Sequence, residues 1–212
     1  MAQPTSLSTV QRLYLAYYGR PADPAGQTYW ADKLDAAGGS LVGIIDAFAN
    51  SAESLALYGA SSTARERVTV LYQNLLGRDP EVQGLNYYVD QINRGKLSLV
   101  NAALAIVDGA QGADLSRLQQ RETAAAQFTA ALDLPKEQAA YVGPLKAQIV
   151  RDAIATITDQ APTLGSFTQG LDALVLKLLG GQLVQGSVTA GPVVAGNGLQ
   201  VTAYDAQGNV LG

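Results

Sequence analysis

The sequence predicts an all-α fold: a multi-helix bundle built on two tandem helical repeats plus further helices, with a short β segment at the C-terminus. Three observations carry that expectation. The stretch Leu13 to Trp30, LYLAYYGRPADPAGQTYW, returns 58 residues later (13 to 71) as Leu71 to Tyr88, LYQNLLGRDPEVQGLNYY, with Gly19 on Gly77, Arg20 on Arg78, Gly26 on Gly84 and Tyr29 on Tyr87. In both copies apolar residues fall at i, i+3, i+4 and i+7 (Val10, Leu13, Tyr14, Tyr17; Val68, Leu71, Tyr72, Leu75), the stripe of an amphipathic helix. Glycines and prolines then punctuate the chain at helical spacing as far as Gly180, where the composition turns glycine-rich and β-branched.

Taken in order, Met1 to Pro4 reads as a loose end, with Ser6 or Ser8 as the first helix cap. Helices are expected near 7–18, 24–37, 40–51, 62–76, 81–94 and 98–108. The first of each repeat closes on a glycine, Gly19 or Gly77, which takes the left-handed conformation without steric cost, and the arginine that follows is placed to meet the last free carbonyls. Asp23-Pro24 and Asp79-Pro80 read as N-cap and first helical residue of the second helix, although these two caps do not superpose at the repeat offset. Gly26 and Gly84 do superpose, and a glycine there implies close approach by another helix or a ligand. Ser40 and Ser98 are the expected caps of the third helices.

Beyond Gly112 the repeat fades. Leu115, Leu118, Ala125 and Phe128 form an interrupted apolar face, Leu134-Pro135 breaks it, and Lys136 to Thr158 carries another pattern interrupted at Gly143-Pro144. A last helix over about 166–179 is apolar through Leu171, Leu174, Val175, Leu178 and Leu179, which implies burial against the repeats or against a neighbouring molecule. Tyr204 to Asn209 reads as a hairpin loop, so 181–212 is expected to be a linker and the first strands of a truncated β-sandwich in a longer protein.

Composition narrows the chemistry. The 212 residues are 48% hydrophobic and 15% charged, as in a chain with a buried core. A net charge of -4 with 14 scattered Lys and Arg argues against nucleic acid as a partner. Zero cysteine excludes disulfides and thiolate catalysis, and zero histidine removes the commonest general base and transition-metal ligand. No apolar run reaches the length of a membrane span, and the N-terminus lacks a Sec signal pattern.

The doubled pattern LY, YYGR or LLGR, a D-P turn, then G with YW or YY resembles a short helical repeat catalogued as a domain of unknown function in secreted bacterial proteins. Such repeats occur in S-layer proteins, RTX-type adhesins and other substrates of type I export, and more distantly resemble the helical linkers of phycobilisomes. The resemblance covers about residues 10–110. It implies that 1–180 is a helical cell-surface anchoring domain, with repeat one near 10–59, repeat two near 68–112 and further helices over 113–180. It further implies secretion by a signal lying downstream, and attachment of a surface lattice to lipopolysaccharide on the outer membrane, with neighbouring copies of the same chain as partners.

A sugar site needs an aromatic ring to cover a C–H face and fixed charged or amide groups for the hydroxyls. Ten of the 14 aromatic residues lie between Tyr14 and Tyr88. The glycan-binding candidates are therefore Tyr18, Arg20, Asp23, Tyr29 and Trp30 in the first copy and Arg78, Asn86, Tyr87, Tyr88 and Asp90 in the second. The competing structural reading is that the arginines close helix ends and that one aromatic of each adjacent pair packs in the core, since neighbours point about 100° apart on a helix. Asp23, Asp32 and Asp35, or Asp79, Glu81 and Asp90, are candidate calcium ligands, with helix caps and solvated faces as the plainer explanation. No glycine-rich phosphate loop or catalytic serine motif occurs. The expected function is non-enzymatic anchoring; the alternatives are a protein–protein assembly module and an accessory domain of a secreted carbohydrate-active enzyme.

Overall fold

The computed structural model describes residues 2–49, 51–59 and 62–180, together with the backbone of 203–204 and 210–211. Among the described residues the fold is all-α. The first repeat supplies α1 (Pro4–Tyr18), α2 (Pro24–Ala36), α3 (Val42–Ala49) and α4 (Ala52–Tyr58). The second supplies α5 (Ala64–Leu76), α6 (Val82–Asn93) and α7 (Leu99–Asp108). Five more follow: α8 (Gly112–Ala131), α9 (Pro135–Ala140), α10 (Pro144–Ala155), α11 (Ala161–Gln169) and α12 (Leu171–Leu178). The strands β1 (Ala203–Tyr204) and β2 (Val210–Leu211) pair antiparallel, Ala203 opposite Leu211 and Tyr204 opposite Val210. This pairing flanks the expected hairpin loop; the loop itself and the rest of 181–212 lie outside the described residues.

The first helices of the two repeats, α1 and α5, pack side by side, and α8 lies against both. Three apolar clusters surround them. Val10, Leu13, Tyr14, Tyr17 and Tyr18 of α1 meet Ala31 and Leu34 of α2, Phe48 of α3 and Val100 of α7. Ala16 turns into the second-repeat cluster of Val68, Leu71, Leu75, Ile106 and Leu118. Leu15 turns into the third, formed by Phe128 of α8, Val150 and Ile154 of α10, Phe167 of α11, and Val175 and Leu178 of α12. From Leu13 to Tyr18 every residue of α1 is buried, so this helix is a central strut and not the one-sided helix that its stripe implied. Each apolar side chain buried there contributes on the order of 2 kcal/mol.

Several boundaries differ from the sequence reading for local reasons. Pro4 is the first residue of α1 and Gln3 its N-cap, because Asp35 of α2 accepts from the Gln3 N–H at 2.8 Å and from Ser6 Oγ at 2.5 Å. Ser6, expected as a cap, instead ties α1 to α2, and the segment before Pro4 is anchored through Gln3. The second-copy cap is Glu81, not Asp79, which puts it on Asp23 at the repeat offset: the two caps superpose after all. Ser98 caps α7 by accepting from Asn101 N at 3.1 Å, whereas α3 begins at Val42, too late for Ser40 to precede it directly. The expected 40–51 helix stops at Ala49, and Ser51 caps the separate α4 by accepting from Ser54 N at 3.0 Å. The last apolar stretch is two helices, α11 and α12, broken at Gly170, and their apolar side is consumed by Phe167, Val175 and Leu178 in the third cluster.

Candidate functional site

The signature residues of the repeat form one device, built twice. In the first copy the Arg20 guanidinium reaches Glu53 through Nε at 2.7 Å and Nη2 at 2.6 Å, and lies 5.3 Å from the ring centroid of Tyr14. In the second, Arg78 reaches Asp114 through Nε at 2.9 Å and Nη2 at 2.5 Å and lies 5.5 Å from Tyr72, the residue at the register of Tyr14. Burial is the largest influence on Arg20 and works against its charge, but Glu53 and Tyr141 outweigh it and raise its pKa. For Arg78 the hydrogen bonds to Asp114 lead, and the pKa is again raised. Gly26 and Gly84 face these tyrosines: a Cβ on Gly26 would lie 2.8 Å from Tyr14 Oη, and one on Gly84 3.1 Å from Tyr72 Oη. The close approach inferred from these glycines is that of a tyrosine of the preceding helix.

The helix ends are closed by other residues than expected. Arg20 Nη1 donates to the Pro21 carbonyl and Arg78 Nη1 to that of Asp79, each outside the helix. The last carbonyls of α1 are shared: Arg151 of α10 donates Nε to Tyr18 O at 2.7 Å, Tyr58 Oη donates to Tyr17 O, and Asn74 Nδ2 donates to Ala16 O at 3.1 Å. Those of α5 go to α8: Arg117 to Leu76 O, and Arg121 to Gln73 O at 3.0 Å and Asn74 O at 2.6 Å. Arg121 is 4% exposed and also donates to Ala155 O at the end of α10 and Ile157 O just past it. It joins two helix C-termini with no carboxylate among these partners, and burial, followed by Arg117, lowers its pKa to about 10.

The glycan-binding candidates therefore separate. Tyr18 is inside the core, with its hydroxyl 3.0 Å from Ser51 Oγ; Tyr17 beside it is buried too, since α1 has no solvent side there. Asp23 is occupied as a cap, accepting from Gly26 N at 2.7 Å. Arg20 and Arg78 are engaged as described, and Asp90 accepts from Arg94 Nε at 2.7 Å. Trp30 and Tyr88 are half-buried, packed on Phe48 at 5.7 Å and Tyr72 at 6.4 Å between centroids. Tyr29 and Tyr87 stand out from the surface at 54% and 59% exposure, in the same register of α2 and α6. Each meets its half-buried neighbour edge-to-face, Tyr29 on Trp30 at 4.9 Å and Tyr87 on Tyr88 at 5.3 Å. The Lys33 ammonium lies 5.6 Å from the Tyr29 ring, and exposed Asn86, next to Tyr87, accepts from Arg65 at 2.8 Å.

Two grooves accompany these surfaces. One of about 400 Å³ lies along α5, α6 and α7, with Arg67, Asn93, Ser62 and Ser98 in its walls; its aromatic, Tyr17 of the first repeat, is only 2% exposed. The other, of about 510 Å³, lies between α4 and the α9–α10 corner and is lined by Arg20, Glu53, Tyr141, Gln148 and Arg151 along with small apolar residues. Glu53, Tyr141 and Arg151 lie outside the repeated motif, and the burial of Arg20, which calls for an acid beside it, shows only in the fold.

For calcium, Asp35 is taken by Gln3 and Ser6, Asp79 accepts from Gln73, and Glu81 pairs with Arg78 at 2.8 Å. Among the described residues no group of three or more acidic side chains is gathered as a metal site. Among the same residues no helix is long and apolar enough to cross a membrane.

No curated protein and no solved structure matches the chain. One family does, over residues 2–58 and again over 45–113, two overlapping matches that together span more than half of the sequence and cover both structural repeats. The chain belongs to the family described as domain of unknown function (DUF4214).

Proposed function

We propose that this chain is a non-enzymatic anchoring domain that binds surface polysaccharide, the O-antigen or core glycan of lipopolysaccharide, through the outer faces of α2 and α6. It would hold a secreted S-layer or adhesin-type chain on the outer face of a Gram-negative outer membrane. The observation that carries the reading is the repeated exposed tyrosine. Tyr14, Arg20 and Gly26, with their second-copy counterparts, are accounted for by folding, whereas Tyr29 and Tyr87 project into solvent in register. An aromatic face held from behind by a second ring, with Lys33 beside one and Asn86 beside the other, suits a sugar ring and its hydroxyls. The groove along α5, α6 and α7 offers further hydroxyl partners in Arg67 and Asn93. Most of the apolar face of 166–179, on which an assembly module would rely, packs against the third cluster, with Leu179 left exposed. The resemblance to repeats of S-layer proteins and type I substrates supports the location and the export route.

The test is co-sedimentation of the chain with lipopolysaccharide that carries or lacks O-antigen, in calcium and in chelator. Pelleting that requires the polysaccharide is the expected result, and dependence on chelator would add calcium as a bridge to anionic sugar or phosphate. Failure to pellet under every condition would sink the reading.

A further inference from the structure

The 510 Å³ cleft between α4 and α10 belongs to neither tyrosine face, and of the repeated device only the Arg20–Glu53 pair reaches it. Its volume is that of a small-molecule site. Its walls are apolar along Ala52, Ala56 and Leu57 on one side and Pro144 and Ala147 on the other, and exposed Val142 and Leu145 flank the α10 wall in sequence, at 71% and 80% exposure. Its charged wall holds two guanidiniums and one carboxylate. Arg20 grips Glu53 with a two-point fork, which neutralises that acid, and spends its Nη1 on Pro21 O and Tyr141 Oη. Arg151 gives Nε to Tyr18 O, Nη1 to Gln148 Oε1 at 2.5 Å and Nη2 to Glu53 at only 3.3 Å. A guanidinium has five N–H donors, so one hydrogen on each terminal nitrogen of Arg151 has no acceptor among the described residues. Asp152, the next acid along, is exposed, accepts from Gln148 Nε2 and is not part of the lining. Burial, the largest influence on Arg151, holds its pKa below the ordinary arginine value, with Glu53 pulling the other way.

We propose that this cleft binds a carboxylate-bearing ligand with an apolar body, of the fatty-acid type. Its carboxylate sits on the free edge of Arg151, and its chain lies along Ala52, Ala56, Leu57, Pro144 and Ala147. The carboxylate supplies the second acid that the Arg20–Arg151 pair lacks, and an aliphatic chain covers apolar wall that water now covers.

The test is isothermal titration of dodecanoate, below its micelle concentration, into the full 212-residue chain, with acetate and dodecyltrimethylammonium as head-only and opposite-charge controls. Saturable one-to-one binding of dodecanoate is expected, at least about tenfold tighter than the cation, as one charge-assisted hydrogen bond implies, with none for acetate. Ala56→Phe, an exposed position whose ring would fill the cleft, and Arg151→Gln should each weaken it about tenfold or more at unchanged helix content. If Arg151→Gln fails to fold, Ala56→Phe decides alone. Absent saturation, equal affinity for the cation, or undiminished binding to Ala56→Phe would overturn the proposal. Replacing Tyr29 and Tyr87 should leave dodecanoate binding unchanged, which keeps this outcome separate from that of the glycan reading.

Discussion

Arg20 and Glu53, 33 residues apart, close the first repeat on itself, whereas Arg78 pairs with Asp114 of α8 and ties the second repeat to the helix that follows it. The two pairs differ in burial: the side chains are 13% and 26% exposed in the first and 32% and 21% in the second. Removing one member of a shielded pair strands the other, so Glu53→Gln should cost about 2–3 kcal/mol by urea unfolding, and Arg78→Met only about 1 kcal/mol. Equal costs would mean that burial is not what separates the two copies.

Gly26 and Tyr14 are similarly matched. A methyl at Gly26 would sit 2.7 Å from Asp23 Oδ2 and 2.8 Å from Tyr14 Oη, while at Gly84 the nearest atom is Tyr72 Oη at 3.1 Å. Gly26→Ala should destabilise by roughly 1–2 kcal/mol despite the better helix propensity of alanine, and Gly84→Ala should be close to neutral. Tyr14→Phe in the Gly26→Ala background should recover part of the loss, as thermal melts would register.

Arg121 serves four carbonyls from the ends of α5 and α10, so no neutral side chain replaces it. Arg121→Met should destabilise by about 3 kcal/mol or more, and Arg121→Lys should restore only part of that, since an ammonium lacks the planar fork. Full rescue by lysine would show that the charge matters and the geometry does not.

At high pH the buried tyrosines should drive unfolding. Burial pushes Tyr18 and Tyr141 up to about 12 from an ordinary 10.0, and raises Tyr14 and Tyr58 further. A folded-state pKa above the unfolded value gives stability that is complete below pH 10.0 and falls as pH rises toward about 12. Circular dichroism and tyrosinate absorbance should therefore change together in that window, and Tyr58→Phe should delay the transition. Ionisation of every tyrosine with helix content intact would contradict this.

The repeat offset made most of the helical frame legible, since caps such as Asp23 and closing glycines such as Gly19 and Gly77 act through neighbouring atoms. Glu81 was hidden by Asp79-Pro80, which looks the better cap in isolation, and the break at Ser51 lies within an apolar run. Tyr17 and Tyr18 could not be told apart by helical angle because α1 is buried all round from Leu13 to Tyr18, where it packs among α2, α5, α7 and α8. Of the candidate glycan site, Tyr29 and Tyr87 emerge exposed, while Arg20 and Asp23 are claimed by local folding. Arg121 and Arg151 act on backbone carbonyls of distant helices, a partner that no residue pattern announces.

The proposed glycan platform of Tyr29 on α2 and Tyr87 on α6 is open to a direct titration. Purified O-polysaccharide would be titrated into the native chain, the Tyr29→Ala/Tyr87→Ala chain and a Tyr72→Phe control. The double variant should keep native helix content and melting temperature yet lose at least about tenfold in affinity, since each stacked ring is worth about 1 kcal/mol, while the control should bind as the native chain does. Equal affinity in the native and double-variant chains would contradict it.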